Sequence, residues 1–345
     1  MLPGMISTNA IIADNFFDSA GSDNSASYLY SPGFLGSEIV MARYCPVFIA
    51  STGEKVAGLR GGHVIGESHT AVCFSEIDLR KAEKWWRKKL KPVATWVFEA
   101  RLGIKVEEVP ESTQTVLNYF YKFDQANLGQ GADIACLEDS YKKHIERYPH
   151  KKVVLYGDSR GAATTFIFFA LHKPTQVGAI VLEGIFDTMP HVITHLFKYS
   201  NKLPGVSAAW HRLLGLCLKS YKPQGPFPLH YVDDIDLETP ILLVTSLKDE
   251  VVPYQCVMRL YCKLKARGHN KVHMLVLKDA WHTHYMLDGH GEKKAYEGVV
   301  HAFYRHYELP YNTALANTGQ ELFATTQHSV QDVQKRYMLN KPCCE

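Results

Sequence analysis

The chain has 345 residues, of which 46% are hydrophobic and 21% are charged, and its formal net charge is +3. This length and composition are those of a globular protein that buries a substantial core, in one large domain with insertions or in two smaller domains. The small net charge favours neither nucleic acid nor an acidic partner, and no apolar stretch has the length of a membrane span.

The amino terminus and the cysteines bear on where the protein resides. Residues 1–25 lack the basic start and the apolar block of a signal peptide. The eight cysteines show no Cys-x-x-Cys spacing, which indicates reduced thiols, so we expect a cytoplasmic protein. The last two, Cys343 and Cys344, leave lipid attachment open as an alternative, although they lack the Cys-a-a-X frame.

The first third of the chain has few clear elements. Residues 26–30 predict a strand, and the sequence Ser-Pro-Gly-Phe-Leu-Gly-Ser at residues 31–37 predicts a glycine-containing loop behind it. Four glycines within residues 51–113 lack the spacing of a phosphate-binding loop and are interpreted as turns: Gly58, Gly61, Gly62 and Gly66. The basic segment around Trp85 and Trp86 predicts a helix with a solvated face; contact with a membrane surface or an acidic partner is the alternative.

A predicted strand at residues 115–123 and a predicted helix at about 133–148 lead to the most informative stretch, residues 152–171. There, an apolar β-branched run predicts a buried strand, a tight turn follows, and a long apolar segment rich in small residues predicts a helix. The turn has the Gly-x-Ser-x-Gly pattern of a nucleophile elbow, Gly157-Asp158-Ser159-Arg160-Gly161. A serine in a strained turn needs neighbours without side chains, and the glycines meet that need; an ordinary strand, turn and helix is the alternative.

Strands and helices alternate through the rest of the chain. Strands are predicted at 179–183, 240–246 and 273–277, and helices at 254–268 and 292–308. Two helix-like pieces at 191–199 and 208–221 and a proline-rich connector separate the first two of these strands. The alternation predicts an α/β fold with a mostly parallel central sheet covered by helices on both faces. Residues 309–345 predict either a loose tail or a docked helix around 330–337.

Together these patterns resemble the α/β-hydrolase family, and within it the prolyl-oligopeptidase-like and acyl-hydrolase branches. The resemblance is carried by the loop at residues 32–37, the elbow around Ser159, the Asp-x-x-Val-Pro sequence that begins at Asp249, and the histidine at position 282. It implies a division of the chain into an α/β-hydrolase domain at 1–308, with an insertion at 51–113 and a lid at 188–235, and a C-terminal tail at 309–345.

The catalytic residues that the resemblance implies are Ser159, Asp249 and His282, in the chain order of this fold. Each follows the carboxyl end of a predicted strand, which is the edge where parallel sheets bind ligands. His282 is expected to take the proton of Ser159, and Asp249 to hold the imidazole in the required tautomer. Glu250 and His284 are the rivals for the roles of the acid and the base.

Backbone N–H groups of Phe34 and Arg160 are implied as the donors that stabilise the oxyanion. Proline stands at position 32, where the family usually has histidine, so support for this loop must come from elsewhere. The side chains of Asp158 and Arg160, on either side of the serine, are expected either to shape the edge of the pocket or to serve the structure.

The predicted function is hydrolysis of an ester, thioester or amide bond in a small acyl substrate through an acyl-enzyme intermediate. A peptidase is less expected because no β-propeller precedes the hydrolase part. The pair His282-x-His284 has no third ligand at a fitting spacing, so neither a metal nor a cofactor is predicted. Two alternatives remain: a non-catalytic binding protein on the same fold, which the proline at position 32 favours, and a membrane-associated lipid hydrolase.

Overall fold

The computed structural model describes the chain around and after the elbow and two short strands before it. The described residues are 27–31, 59–61, 129–147, 149–150, 152–200, 222, 224–283, 285–286 and 291–337. Several predictions lie outside the described residues: the loop with Phe34, the tryptophan-containing segment, the strand at 115–123, the helix at 208–221, His284 and the terminal cysteines.

The strands of the described part of the chain form a single six-stranded sheet. They are β1 (Ser27–Ser31), β2 (Leu59–Gly61), β3 (Val153–Asp158), β4 (Val177–Glu183), β5 (Ile241–Ser246) and β6 (Val272–Leu277). Their order in the sheet is β2-β1-β3-β4-β5-β6, and each neighbouring pair is parallel. The predicted mostly parallel sheet is therefore confirmed.

Helices cover both faces of this sheet, as the alternation of elements predicts. They are α1 (Gly131–Arg147), α2 (Arg160–His172), α3 (Met189–Ser200), α4 (Tyr254–Ala266), α5 (Lys293–His306), α6 (Thr313–Ala324) and α7 (Val330–Tyr337), with a 3-10 helix at Pro228–Asp234. Helices α1, α2, α3, α4 and α7 share a hydrophobic core with one face, and α5 and α6 share a second core with the other.

The central strands bury the side chains of both their faces. In β3, Val153 and Leu155 belong to the first core, and Val154 and Tyr156 belong to the second. All six residues of β5 are buried as well. Continuous apolar runs of this kind are typical of parallel strands covered on both sides. Close packing on two faces makes the sheet a rigid support, and the carboxyl ends of its strands are the edge on which the site is built.

The interpretation of Gly61 as a turn residue is wrong. Gly61 ends β2, which pairs with β1 so that Leu59 lies opposite Tyr28 and Gly61 opposite Tyr30. A strand of three residues is too short to show a periodic pattern, so its conformation depends on the neighbouring strand more than on its own sequence. The range 51–113, predicted as an insertion, thus contributes an outer strand of the sheet.

The residues after α5 pack closely on the rest of the fold. Gly298 of α5 and Gly319 of α6 bring the two helices into backbone contact, because a Cβ placed on Gly319 would lie 2.0 Å from the carbonyl carbon of Gly298. Val333 of α7 is fully buried in the first core. Of the two alternatives for the end of the chain, the structure has the docked helix, at Val330–Tyr337.

Two buried histidines make the folded state sensitive to mild acid. Burial lowers the pKa of His273 to about 3 and the pKa of His269 to about 4, whereas an unfolded chain has histidine pKa values near 6.5. The ring of His273 is hydrogen-bonded at both nitrogens, with Nδ1 2.9 Å from Thr326 Oγ1 and Nε2 2.8 Å from the hydroxyl of Tyr307. Protonation of either histidine would place a charge in the interior.

We therefore expect the free energy of unfolding to decrease as the pH falls from about 6.5 toward 4. Above pH 6.5 both rings are neutral in the folded and the unfolded chain; below it, the unfolded chain takes up protons that the folded chain does not. The expected slope reaches about 1.4 kcal/mol per pH unit for each histidine. Urea denaturation at a series of pH values from 7 to 4.5 measures it.

The matched control uses one buried and one exposed histidine. His269→Leu removes one of the two groups and is expected to flatten the slope, whereas His150→Gln, at an exposed position, is expected to leave it unchanged. Equal slopes for the parent and His269→Leu would contradict the prediction.

Candidate active site

Ser159 occupies the turn between β3 and α2 with a strained backbone. Its φ and ψ angles are 52° and −114°, and positive φ is uncommon for residues other than glycine. Two backbone hydrogen bonds hold this conformation: the N–H of Ser159 donates to the carbonyl of Glu183 at 2.7 Å, and its own carbonyl accepts from the N–H of Ala163 at 3.1 Å. The serine is thereby fixed to the end of β4 on one side and to the first turn of α2 on the other.

Gly157 allows the turn to be this tight. A Cβ at this position would lie 2.6 Å from the carbonyl oxygen of Gly161 and 2.8 Å from the Cα of Ala162. Both are backbone atoms of the following helix, which cannot move away without opening the turn. The close approach of the strand to the helix therefore explains the first glycine of the Gly-x-Ser-x-Gly pattern.

Asp249 lies just after β5 and is held by the backbone of its own loop. Its Oδ1 accepts hydrogen bonds from the N–H groups of Val251 and Val252, at 3.0 and 2.7 Å. This leaves Oδ2 directed at the ring of His282, with 2.7 Å between Oδ2 and Nδ1. The side chain of Asp249 is fully buried, whereas Glu250, its rival in the sequence, is exposed.

His282 connects the acid to the serine. Its Nε2 lies 2.8 Å from Ser159 Oγ, and its Nδ1 contacts Asp249. Because a carboxylate can only accept, Nδ1 carries the proton of the neutral ring, and Nε2 is free to accept from the serine hydroxyl. The three residues predicted from the sequence thus lie in one hydrogen-bonded row, although they are up to 123 positions apart in the chain.

Gly184 is a part of the site that the sequence analysis missed. It follows β4 with φ of +52°, and a Cβ there would lie 2.9 Å from Cε1 and 3.1 Å from Nδ1 of His282. The imidazole therefore rests against a position that has no room for a side chain. The sequence did contain one indication of this role: Gly184 directly follows a predicted strand, at the carboxyl edge of the sheet where ligands bind.

The two side chains beside the serine are directed into the protein. Asp158 and Arg160 are both nearly fully buried. Arg160 Nε lies 3.8 Å from Asp133 Oδ2, and the same oxygen accepts from the N–H of Gly129 at 2.7 Å. Of the two roles considered for these side chains, this burial fits the structural one for Arg160.

A buried glutamate lies next to the elbow. The carboxylate of Glu183 accepts hydrogen bonds from the hydroxyls of Tyr156 and Tyr296, and the carbonyl of the same residue accepts from the N–H of Ser159. Glu183 therefore connects β3, α5 and the elbow.

Of the two predicted oxyanion donors, Arg160 lies within the described residues and Phe34 does not. Arg160 is the first residue of α2, and the amides of a first helical turn have no carbonyl partner within the helix. The backbone N–H of Arg160 therefore belongs to the positive end of the helix that begins directly after Ser159.

A second cluster of polar groups follows β4, and it has the residue types of a metal site. Ligand atoms of Asp187, His191 and Cys256 lie within 4.8 Å of one another. The guanidinium of Arg259, however, donates to Asp187 and lies 3.0 Å from His191 Nδ1. Burial raises the pKa of Asp187, but hydrogen bonds from His191 and Arg259 outweigh it and lower the pKa overall.

The thiol in this cluster is also a poor metal ligand. Burial raises the pKa of Cys256 well above its usual value, so the thiolate that metals bind is disfavoured. The arginine already supplies the positive charge that Asp187 requires. The cluster is therefore built as an ion pair that joins the start of α3 to α4.

None of the helices in the described ranges is both long enough and apolar enough to cross a membrane.

Several solved structures are similar to this chain. An esterase from Pyrococcus furiosus is 20% identical, with a TM-score of 0.39, over 51% of this chain and 62% of that chain. An acylaminoacyl peptidase from Pyrococcus horikoshii is 14% identical, with a TM-score of 0.42, over 55% of this chain and 30% of that chain. A carboxyl esterase from Bacillus coagulans is 13% identical, with a TM-score of 0.49, over 85% and 93%. This chain thus spans less than two thirds of the first two.

Comparison with curated protein sequences gives no match. A family model, in contrast, covers the region from the third residue of α1 through α5, which includes the elbow, Asp249 and His282. The match extends over residues 133–307, just over half of the chain, and the model is that of the prolyl oligopeptidase family. The resemblance to α/β-hydrolases is thereby confirmed, and the chain belongs to the prolyl oligopeptidase family.

Proposed function

We propose that this protein is a serine hydrolase that cleaves an ester, thioester or amide bond, with Ser159 as nucleophile, His282 as general base and Asp249 as the acid that orients it. The observation that carries the proposal is the row of two hydrogen bonds, 2.8 Å from Ser159 to His282 and 2.7 Å from His282 to Asp249. The row lies at the carboxyl ends of β3, β5 and β6, where open parallel sheets bind ligands.

In the proposed reaction, Ser159 Oγ attacks the carbonyl carbon of the substrate while its proton passes to Nε2 of His282. Asp249 stabilises the imidazolium that forms. The imidazolium then donates this proton to the leaving group, and an acyl-enzyme remains. Water attacks the acyl-enzyme with His282 again as the base, which releases the acid and restores the serine.

The oxyanion of both steps requires hydrogen-bond donors. We assign the backbone N–H of Arg160 and, from the sequence, the backbone N–H of Phe34 to this role. Loss of one such donor typically raises the barrier by about 3 kcal/mol.

Apolar side chains around the site favour an apolar acyl or leaving group. Among the described residues, Leu247, Val251 and Trp281 are large apolar side chains that are 39%, 38% and 48% exposed. All three lie on the two loops that carry Asp249 and His282. Exposed apolar surface of this kind commonly marks a binding site. We therefore place the substrate among small molecules with an apolar acyl chain, and the amide of a short peptide is a second candidate because peptidases gave this family its name.

The experiment is labelling with a fluorophosphonate probe, which reacts with an activated serine and not with an ordinary one. We expect the 345-residue chain to be labelled at Ser159, as located by mass spectrometry of the digested protein. A chain-length series of nitrophenyl esters and thioesters, with an acylated dipeptide alongside, then ranks the substrate classes. Absence of both labelling and turnover would favour the alternative of a binding protein on a hydrolase fold.

The membrane-associated alternative has a test of its own. The basic tryptophan-containing segment and the cysteines at 343 and 344 would mediate the contact. Vesicle co-sedimentation of the full chain is compared with that of a chain ended at Leu339. Equal and negligible binding would favour the cytoplasmic location, which we propose from the spacing of the cysteines and from the buried thiol of Cys256, which is not part of a disulfide.

A further inference from the structure

Glu292 binds the loop that carries His282. This loop connects β6 to α5, and Glu292 lies at its far end, directly before α5. Its Oε1 accepts a hydrogen bond from the N–H of Lys278 at 2.7 Å, and its Oε2 accepts from the N–H groups of Asp279 and Ala280 at 2.9 and 2.8 Å. One carboxylate thus accepts hydrogen bonds from three consecutive backbone N–H groups, and the last of these belongs to the residue two positions before the histidine.

The carboxylate is itself well anchored. It lies at the amino terminus of α5, where the helix dipole favours a negative charge. Helix α5 is fixed in turn, because Tyr296, Val299 and Phe303 are fully buried in the second core. Hydrogen bonds from amides to a charged acceptor are also among the stronger ones. The loop is therefore attached to a rigid helix at the point where its own backbone leaves the sheet.

An ordinary helix cap does not account for this arrangement. Glu292 is the N-cap residue of α5, yet its side chain makes no capping hydrogen bond to the first turn of that helix. Within the described residues, its hydrogen bonds all go to the loop. Another connection to this loop, an ion pair between Lys248 and Asp279, is mostly exposed to solvent, with side chains 63% and 49% accessible, and such pairs contribute little.

We propose that Glu292 is a positioning residue for the general base: it holds the loop so that His282 stays within hydrogen-bonding distance of Ser159 and Asp249. This inference rests on the proposed function for its effect on catalysis. Displacement of a catalytic group by about 1 Å can lower a rate about 100-fold. The described residues of this loop, 278–283, 285–286 and 291–292, belong to no helix or strand, and Thr283, directly after the histidine, has a φ of 50°.

The test compares Glu292→Ala and Glu292→Gln with the parent and with Glu321→Ala, a control at an exposed glutamate of α6. Glutamine keeps the shape of the side chain, but it replaces one acceptor oxygen with an amide that cannot accept. We expect kcat for ester hydrolysis to fall about 10- to 100-fold in Glu292→Ala and somewhat less in Glu292→Gln, with KM changed less than about twofold. The control should match the parent.

Two measurements do not depend on turnover. Hydrogen exchange followed by mass spectrometry should show faster exchange at residues 278–280 in Glu292→Ala. Proton NMR should show loss or broadening of the low-field Nδ1–H resonance of His282, which the Asp249 hydrogen bond produces. Both should be unaltered in Glu321→Ala.

The outcomes separate this inference from the proposed function. If the parent hydrolyses esters and Glu292→Ala retains its kcat, its exchange rates and its low-field resonance, the positioning role is overturned. If the parent neither hydrolyses esters nor reacts with the probe, the hydrolase proposal fails. In that case, faster exchange and a changed His282 resonance in Glu292→Ala would still establish that Glu292 holds the histidine. Unchanged exchange and an unchanged resonance would refute the positioning role.

Discussion

Ser159→Ala is expected to abolish fluorophosphonate labelling and to lower kcat for ester hydrolysis by about 10,000-fold or more. The substitution removes the nucleophile and leaves the rest of the hydrogen-bonded row in place. A φ of 52° raises the backbone conformational energy of alanine and of serine by similar amounts, so the fold should be retained. Labelling, steady-state kinetics and the urea unfolding midpoint of the same preparations measure the three quantities.

A double variant tests whether Ser159 and His282 act as one unit. Residues that act as one unit do not contribute independently, so the double variant Ser159→Ala with His282→Ala should be no slower than Ser159→Ala alone. Thr175→Ala, in an exposed turn remote from the carboxyl edge, should behave as the parent. Retention of substantial hydrolysis by Ser159→Ala would mean that another group is the nucleophile.

Gly184→Ala is expected to lower kcat about 100-fold with a modest loss of stability. The new methyl group would lie 2.9 Å from Cε1 of His282, so the imidazole must move away from Ser159 and Asp249. Alanine at a φ of +52° also costs about 1–2 kcal/mol of backbone strain. Kinetics with a nitrophenyl ester and urea denaturation separate the two effects.

Gly268→Ala is the matched control because it shares the strain but not the contact. Gly268 has a φ of +86°, and a Cβ there would meet nothing within 4 Å. We expect the free energy of unfolding to fall by a similar amount in both variants and kcat to fall only in Gly184→Ala. Equal activities in the two variants would show that the position of His282 does not depend on Gly184.

The sequence predicted the elements that carry strong local patterns. The strand and helix around Ser159, the strand that leads to Asp249 and the strand before His282 all combine apolar runs with clear turn signals, because a buried parallel strand must be apolar on both faces. The candidate site followed from the resemblance to the α/β-hydrolase family, and the chain order of the three residues and their positions after predicted strands agreed with it.

The features that the sequence did not reveal depend on contacts between distant segments. Gly61 forms a strand because β1 lies beside it, and three residues carry too little pattern to indicate this. Gly184 and Glu292 each look like an ordinary loop residue until the loop of His282 is folded against them. Tertiary contacts of this kind decide the geometry of the site, and they leave no periodic signal in the chain.

The backbone contact between Gly298 and Gly319 has a practical consequence for where the chain can be cut. A fragment that stops at residue 308 would keep Ser159, Asp249, His282 and Glu292, and it would contain the entire family match. It would also uncover the face of α5 against which α6 lies, and α5 is the helix that supports Glu292. Such a fragment would keep the candidate catalytic residues but would lose the packing of α6 on α5, so we expect a stably folded fragment of this protein to extend beyond the residues that match the family model.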